Sequence, residues 1–266
     1  MGGIGELGGE VKYSPIALNI KKYYHMYDLE KTTLNQHATH KVLGVGTYSV
    51  LEASRLLKIP TVNVRRWLGG YSFKNVKSNK IVMPPLWKSE LPLYGNHLEI
   101  GFRDLIELKF VREFMKAGLS VNVIRLCLDK AAQVIADSHP FSTRRFQTDG
   151  STIFFEGIKG SGHAELLDLK KSQYALPEII KQTFKDLDIE DDVVASWRPY
   201  KGKKSILIDP NRSFGQPIAA DAGVPTIVLA QAVQAEGSIA AVARLYEVAP
   251  TVVRDAIAFE GLLEAA

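Results

Sequence analysis

A chain of 266 residues with 46% apolar and 23% charged residues is globular rather than disordered, with length for two modest domains or one large one. One cysteine, Cys127, excludes an internal disulfide, and no 18-residue apolar run exists for a membrane span, since 227–242 is broken by Gln231, Gln234 and Glu236. The net charge of +4 is uneven: 41–150 hold seventeen basic against nine acidic residues, 209–266 hold three against seven, and 1–40 and 151–208 balance, so a polyanion partner is expected for 41–150 and not for 209–266. The start lacks the charged-then-apolar pattern of a signal peptide, and a reducing cytoplasm is the expected location.

Residues 1–40 hold Gly2, Gly3, Gly5, Gly8 and Gly9 without periodicity, which predicts a poorly ordered segment. The literal GxGxxG at 3–8 follows no strand and is not a dinucleotide fingerprint. His25, His37 and His40 are too few for a metal site. From Tyr48 the pattern changes. Ser49 with Glu52 three residues later forms a capping box, and Val50, Ala53, Leu56 and Leu57 recur at helical spacing. Lys58-Ile59-Pro60 breaks that helix. Thr61 is expected to cap a second one with Val64 and Trp67 or Leu68 inward, ended by Gly69-Gly70. Two short helices across a tight turn make a helix-turn-helix. Residues 71–86 read as a β-hairpin wing carrying Lys74, Lys77 and Lys80.

Helices are then predicted over 103–117, ended by Gly118, and from Ser120 along Ile124, Leu128, Ala131 and Ile135, with Cys127 beside that stripe as a small core residue. Asp149-Gly150 between 145–147 and 152–155 predicts a hairpin. Residues 165–169 suggest a strand, 177–187 a helix, and 193–197 and 205–208 strands. In the last segment Pro225 is expected at a first helical position, Gly237 after that helix, Ser238 as the cap of a second, and Pro250 and Gly261 at the ends of a third. The expected fold is α+β and mostly helical: a poorly ordered 1–40, a winged helix-turn-helix over 41–140, a small mixed α/β linker over 141–204, and a three-helix, helix-turn-helix-like bundle over 205–266.

A recognition helix sets its first residues at base edges and its cations on phosphates. The candidates are Ser49, Thr61, Asn63, Arg65 and Arg66, since Asn suits adenine and Arg suits guanine or phosphate. Lys74, Lys77 and Lys80 would hold the flanking backbone and position more than specify. No GxSxG, HExxH, CxxC or phosphate-loop motif is present, so neither enzyme chemistry nor a cofactor is expected. Asp188, Glu190, Asp191 and Asp192 read as a solvated loop.

Tyr48-Ser49-Val50-x-x-Ala53, Asn63-Val64-Arg65-Arg66-Trp67, Asp104-Leu105-x-x-Leu108, Phe110-Val111-x-x-Phe114 and Gly118-Leu119-Ser120 resemble the MerR family of regulators over about residues 47–136. That resemblance implies a winged helix-turn-helix on double-stranded operator DNA, with Arg65 approaching the backbone. Ile208-Asp209-Pro210, Gly215-Gln216-Pro217, Val224-Pro225, Gly237-Ser238, Ala243, Tyr246, Ala256 and Phe259 resemble the small domain of VapB-like antitoxins over 206–259. It implies a PIN-type ribonuclease toxin as partner, with Arg212, Phe214, Arg244 and Arg254 as candidate contacts and Arg212 as the side chain reaching the toxin's carboxylates. The expected function is an antitoxin and DNA-binding autorepressor, acting as a homodimer because such repressors read two half-sites. The alternative is a MerR-like transcription regulator whose C-terminal part senses a ligand or partner, which an apolar cavity within 143–208 would favour.

Overall fold

The structure is a computed structural model describing residues 44–74, 78–91, 97–160 and 169–265, all within a unit spanning 42–266. The expected disorder of 1–40, with His25, His37 and His40, lies outside the described residues. The fold is mixed α+β and mostly helical. Among the described residues no helix is long and apolar enough to cross a membrane.

Strand β1 (Tyr48–Ser49) leads into α1 (Val50–Leu57). The Ser49 hydroxyl accepts from Glu52 N at 3.2 Å, and Ser49 N donates to the Glu52 carboxylate at 2.7 Å, so the capping box is complete. Helix α2 (Thr61–Gly69) departs from expectation at its start. Pro60 holds the N-cap position and Thr61 is already helical, because proline fixes an extended φ and leaves no hydroxyl to cap the first turn. Strands β2 (Tyr71–Lys74) and β3 (Lys80–Met83) pair antiparallel with Tyr71 opposite Met83 and Lys74 opposite Lys80. Strand β4 (Glu99–Ile100) pairs back onto β1.

Helices α3 (Phe102–Lys116) and α4 (Val121–Ile135) follow, with Ser120 capping α4 through Val123 N at 3.3 Å. Helix α5 (Arg144–Gly160) replaces the hairpin expected around Asp149-Gly150. Phe146, Ile153, Phe154 and Ile158 recur at helical spacing and are all buried, and that face packs along α4. Burying four large side chains on one stripe outweighs a local turn preference. Both glycines are used for closeness instead. A Cβ at Gly150 would lie 3.0 Å from the Phe146 ring, and one at Gly157 3.2 Å from Lys130 Cβ.

The strand expected over 165–169 lies outside the described residues up to 168, and Leu169 begins α6 (Leu169–Phe184). That helix starts before Pro177, which sits inside it and exposed, and the expected end at Leu187 is instead the first residue of β5. Strands β5 (Leu187–Glu190) and β6 (Val193–Trp197) form a hairpin. Asp191 (φ 44°) and Asp192 (φ 66°) make its two-residue turn, a left-handed pair that Asp tolerates. Strands β7 (Ile206–Leu207) and β8 (Ile218–Ala219) pair across a loop. Then come α7 (Thr226–Glu236), α8 (Ile239–Leu245) and α9 (Pro250–Glu264). Gly237 takes the left-handed C-cap at φ 66° and Ser238 caps α8 through Ala241 N. Pro225 is the N-cap rather than the first helical residue, and α9 runs past Gly261 to Glu264.

One hydrophobic core takes side chains from Tyr48 through Ile208, including Trp67, Phe110, Phe141, Phe154 and Trp197. A smaller core holds α7, α8 and α9 together through Leu229, Val242, Val253 and Ala256. Cys127 is buried, and burial pushes its thiol up, as a structural cysteine requires.

Candidate nucleic-acid interface

Helix α2 turns Val64, Trp67 and Leu68 into the core and leaves Thr61, Arg65 and Arg66 exposed, with Asn63 half-buried. Its first turn has no side-chain cap, so the amides of Thr61 and Val62 point outward with the positive end of the helix dipole. Ser49 is exposed at the start of α1. The Arg66 guanidinium lies 5.3 Å from the Tyr71 ring centroid, which fixes one cation against the hairpin. Lys74 and Lys80 are exposed and face each other across β2 and β3. Like charges directly opposite destabilise a hairpin, and neither lysine pairs with a carboxylate among the described residues. Lys77 lies outside the described residues. The expected DNA residues therefore divide: Thr61, Asn63, Arg65 and Arg66 share one helix start, Lys74 and Lys80 share one hairpin face, and Ser49 sits on the preceding helix.

The segment after the hairpin is held by a polar network, buried at Asp104 and half-buried at Arg125, that sequence reasoning missed. Leu86 N donates to Trp67 O at 2.7 Å, and Arg125 donates to the carbonyls of Pro85 and Pro84 at 2.6 and 2.8 Å. Asp104, fully buried on α3, accepts from Trp87 Nε1 (2.7 Å), Ser89 Oγ (2.8 Å), Glu90 N (3.1 Å) and Gly101 N (3.1 Å). His139 Nε2 lies 2.9 Å from Asp104 Oδ1, the oxygen that also accepts from Trp87. Burial works against the Asp104 charge, but the hydrogen bond and charge of His139, with Trp87 and Ser89, hold its carboxyl below the usual range. Burial likewise disfavours the His139 cation, yet Asp104 and Glu107 raise it overall.

Glu107, one turn further along α3, is fully buried. One carboxylate oxygen accepts from Ser142 N at 2.9 Å, and the other has no hydrogen-bond partner among the described residues. Burial pushes its carboxyl up to about 7. A carboxyl raised on folding takes up protons as the chain folds, so stability falls as pH climbs from about 4.5 to about 7. His139, also raised, contributes below about 6.5 and loses that contribution as pH rises through its folded value. Asp104, lowered, contributes above its ordinary 3.8 and loses it only at lower pH. Urea unfolding should therefore show the protein about 1–2 kcal/mol more stable near pH 6 than near pH 8. Glu107→Gln should remove most of that difference. An unchanged difference in the variant would mean that Glu107 is not its source.

The last segment presents its candidates on three elements. Arg212 and Phe214 sit in the loop between β7 and β8, Arg244 on α8 and Arg254 on α9, with no hydrogen bond or ion pair joining them among the described residues. Phe214 is 66% exposed, large for an aromatic with no covering element. It is held there by three successive left-handed residues, Ser213 (φ 47°), Phe214 (φ 56°) and Gly215 (φ 81°). Their carbonyls are used. Thr47 N donates to Phe214 O at 3.2 Å, and the buried Tyr48 hydroxyl donates to Gly215 O at 2.8 Å. Those partners lie 167 residues apart, a distance no local pattern reports.

A cleft of about 610 Å³ lies between the end of α1, α3, α6 and β6. Its lining mixes Lys58, Arg112, Glu113 and Asp186 with Leu56 and Trp197, and is charged as well as apolar. Lys109, nearly buried beside it, donates to Thr183 O at 2.5 Å and to Asp186 at 2.7 Å. Among the described residues no group of three His, Cys, Asp or Glu side chains could hold a metal ion.

No protein-family model matches the chain. The chain is 26% identical over 223 residues to a Mycobacterium tuberculosis protein named "Putative antitoxin VapB45", covering 80% of this chain and 93% of that protein. The crystal structure of Rv2018 from Mycobacterium tuberculosis superposes with a TM-score of 0.61 at 23% identity, over 79% of this chain and 96% of that one. The two share a fold across most of their length.

Proposed function

We propose that the chain is an antitoxin that binds its own operator DNA and neutralises a PIN-type ribonuclease toxin. The observation that carries the antitoxin half is the similarity, across four fifths of the chain, to a protein named as an antitoxin. In this reading residues 41–140 form the MerR-like winged helix-turn-helix, 141–204 connect, and 205–266 bind the toxin. Helix α2 enters the major groove with Thr61, Asn63, Arg65 and Arg66, while Ser49 and the wing lysines Lys74, Lys77 and Lys80 hold the backbone. The cations Lys74 and Lys80, unpaired among the described residues and opposed on one hairpin, support a phosphate partner, because an anion between them removes their repulsion. Arg212 and the exposed Phe214 offer a toxin a charge and an apolar anchor on one loop, and Arg244 on α8 and Arg254 on α9 add further charge. A homodimer would match two operator half-sites.

Tagged full-length protein, purified from its own host, is expected to carry a metal-dependent ribonuclease in near-equal amount and to suppress its activity. The doubly substituted Arg212→Ala, Phe214→Ala protein should release that activity. Arg65→Ala with Arg66→Ala should weaken operator binding at least tenfold, each guanidinium contact being worth about 1–3 kcal/mol. Recovery of DNA with no protein partner would instead leave a stand-alone regulator.

A further inference from the structure

Residues 200–204 lie within the connection from β6 to β7, and the charge balance of 151–208 conceals them. Tyr200 is buried, its ring 6.0 Å from Phe259 of α9 and nearly perpendicular to it. Ile206 completes this small core, and Leu56 of α1 and Leu263 of α9 pack against it. The loop is therefore fastened by apolar contact to the first helix of the proposed DNA-binding unit. Arg55 precedes Leu56 and Lys58 lies two residues after it, both exposed.

The next four residues, Lys201, Gly202, Lys203 and Lys204, are all exposed. Lys201 (φ 54°) and Gly202 (φ 68°) turn the backbone left-handed, and Lys203 N closes the turn on Tyr200 O at 2.9 Å. The turn gathers charge: Lys201 Nζ and Lys203 Nζ lie 5.5 and 5.0 Å from the Tyr200 ring centroid. One carboxylate answers them. Asp255 accepts from Lys203 Nζ at 2.6 Å and from Ser205 Oγ at 2.7 Å, and Arg254 beside it adds a further positive charge. Lys201 and Lys204 have no carboxylate partner among the described residues. Holding three lysines within four residues by a fixed turn is electrostatically unfavourable in the free protein, and a line of phosphates reverses the sign.

We propose that the Lys201–Lys204 turn is a second phosphate-contacting element, gripping the backbone of the duplex that α2 and the β2–β3 hairpin engage. The proposal rests on the DNA-binding reading above. The turn is seated chiefly on α9 and, among the described residues, meets α1 through Leu56 alone; DNA is favoured over an acidic protein because of that α1 contact and because point charges on exposed lysines suit a sequence-independent phosphate track.

The test is the salt dependence of binding by the full-length Lys201→Ala, Lys204→Ala protein, which keeps Tyr200 and the Lys203–Asp255 pair intact. The probes are a duplex spanning the region upstream of the chain's own gene and a shuffled duplex of equal length. The slope of log K against log salt should fall by about one per lysine, with affinity down about tenfold at 0.15 M salt. The loss should be equal on both duplexes, since the turn reads no base. An unchanged slope, with Arg65→Ala and Arg66→Ala still weakening binding, would overturn the second element alone. If that same lysine variant instead lost an acidic protein partner, the turn would belong to a protein interface. Absence of duplex binding by the unsubstituted protein would overturn both readings.

Discussion

Asp104→Ala is expected to destabilise the protein by about 3–5 kcal/mol, the scale for removing one partner from a buried charged network. The loss exceeds one hydrogen bond because five groups depend on this carboxylate. Without it the Trp87 indole, the Ser89 hydroxyl, the amides of Glu90 and Gly101 and the His139 ring all lose their acceptor in or near the interior. An unsatisfied buried donor costs about 1–3 kcal/mol, and partial water entry limits the total. Asp104→Asn keeps one acceptor oxygen and should cost less. The effect also has a direction in space. The stretch Trp87–Glu90 follows the β2–β3 hairpin, so its release from α3 should loosen the hairpin and weaken duplex binding through Lys74 and Lys80. Urea unfolding measures the first effect and duplex titration the second. A loss below about 1 kcal/mol would mean that the site rearranges around the substitution.

Phe110→Ala should cost a similar amount, about 3–5 kcal/mol, for a different reason. Phe110 on α3 meets Phe114 at 6.1 Å, Phe141 at 5.8 Å, Phe146 on α5 at 5.8 Å and Phe184 on α6 at 4.8 Å between centroids. Removing the ring leaves a cavity bounded by four other rings, which cannot close around it without breaking their own packing. Since those rings come from both sides of residue 140, residues 48–208 should unfold in one transition by fluorescence and circular dichroism alike. Phe110→Leu, which fills most of the space, should lose much less. Two separated transitions in the unsubstituted protein would show that the aromatic cluster does not couple its two sides.

What the sequence disclosed was what neighbours in sequence decide. Ser49 with Glu52, Ser120, Ser238 and Gly237 mark helix ends through contacts within four residues, and all do so in the structure. The exposure of Arg65 and Arg66 follows from Val64, Trp67 and Leu68 taking the inner face of the same helix. Asp149-Gly150 misled because its preference is local while Phe146, Ile153, Phe154 and Ile158 answer to α4, which lies earlier in the chain. The start of α6 before Pro177 was missed for a related reason: a proline at an exposed helical position forfeits a bond whose loss the buried Leu176, Ile180 and Phe184 outweigh. The Asp104–His139 contact spans 35 residues and the Tyr48–Gly215 bond 167. Pairings of that range are set by the finished packing, and neither partner carries a local mark of the other.

The Tyr48–Gly215 and Thr47–Phe214 bonds also impose an order in time. Residues 47–57 leave a ribosome long before 214 and 215 are added, and domains otherwise settle as they emerge. The lead-in to α1, which pairs with β4 as soon as that strand emerges, thus waits for these two later hydrogen bonds until most of the chain has been translated. A message cut anywhere upstream of codon 214 yields a product whose lead-in to the first helix lacks both of these hydrogen bonds.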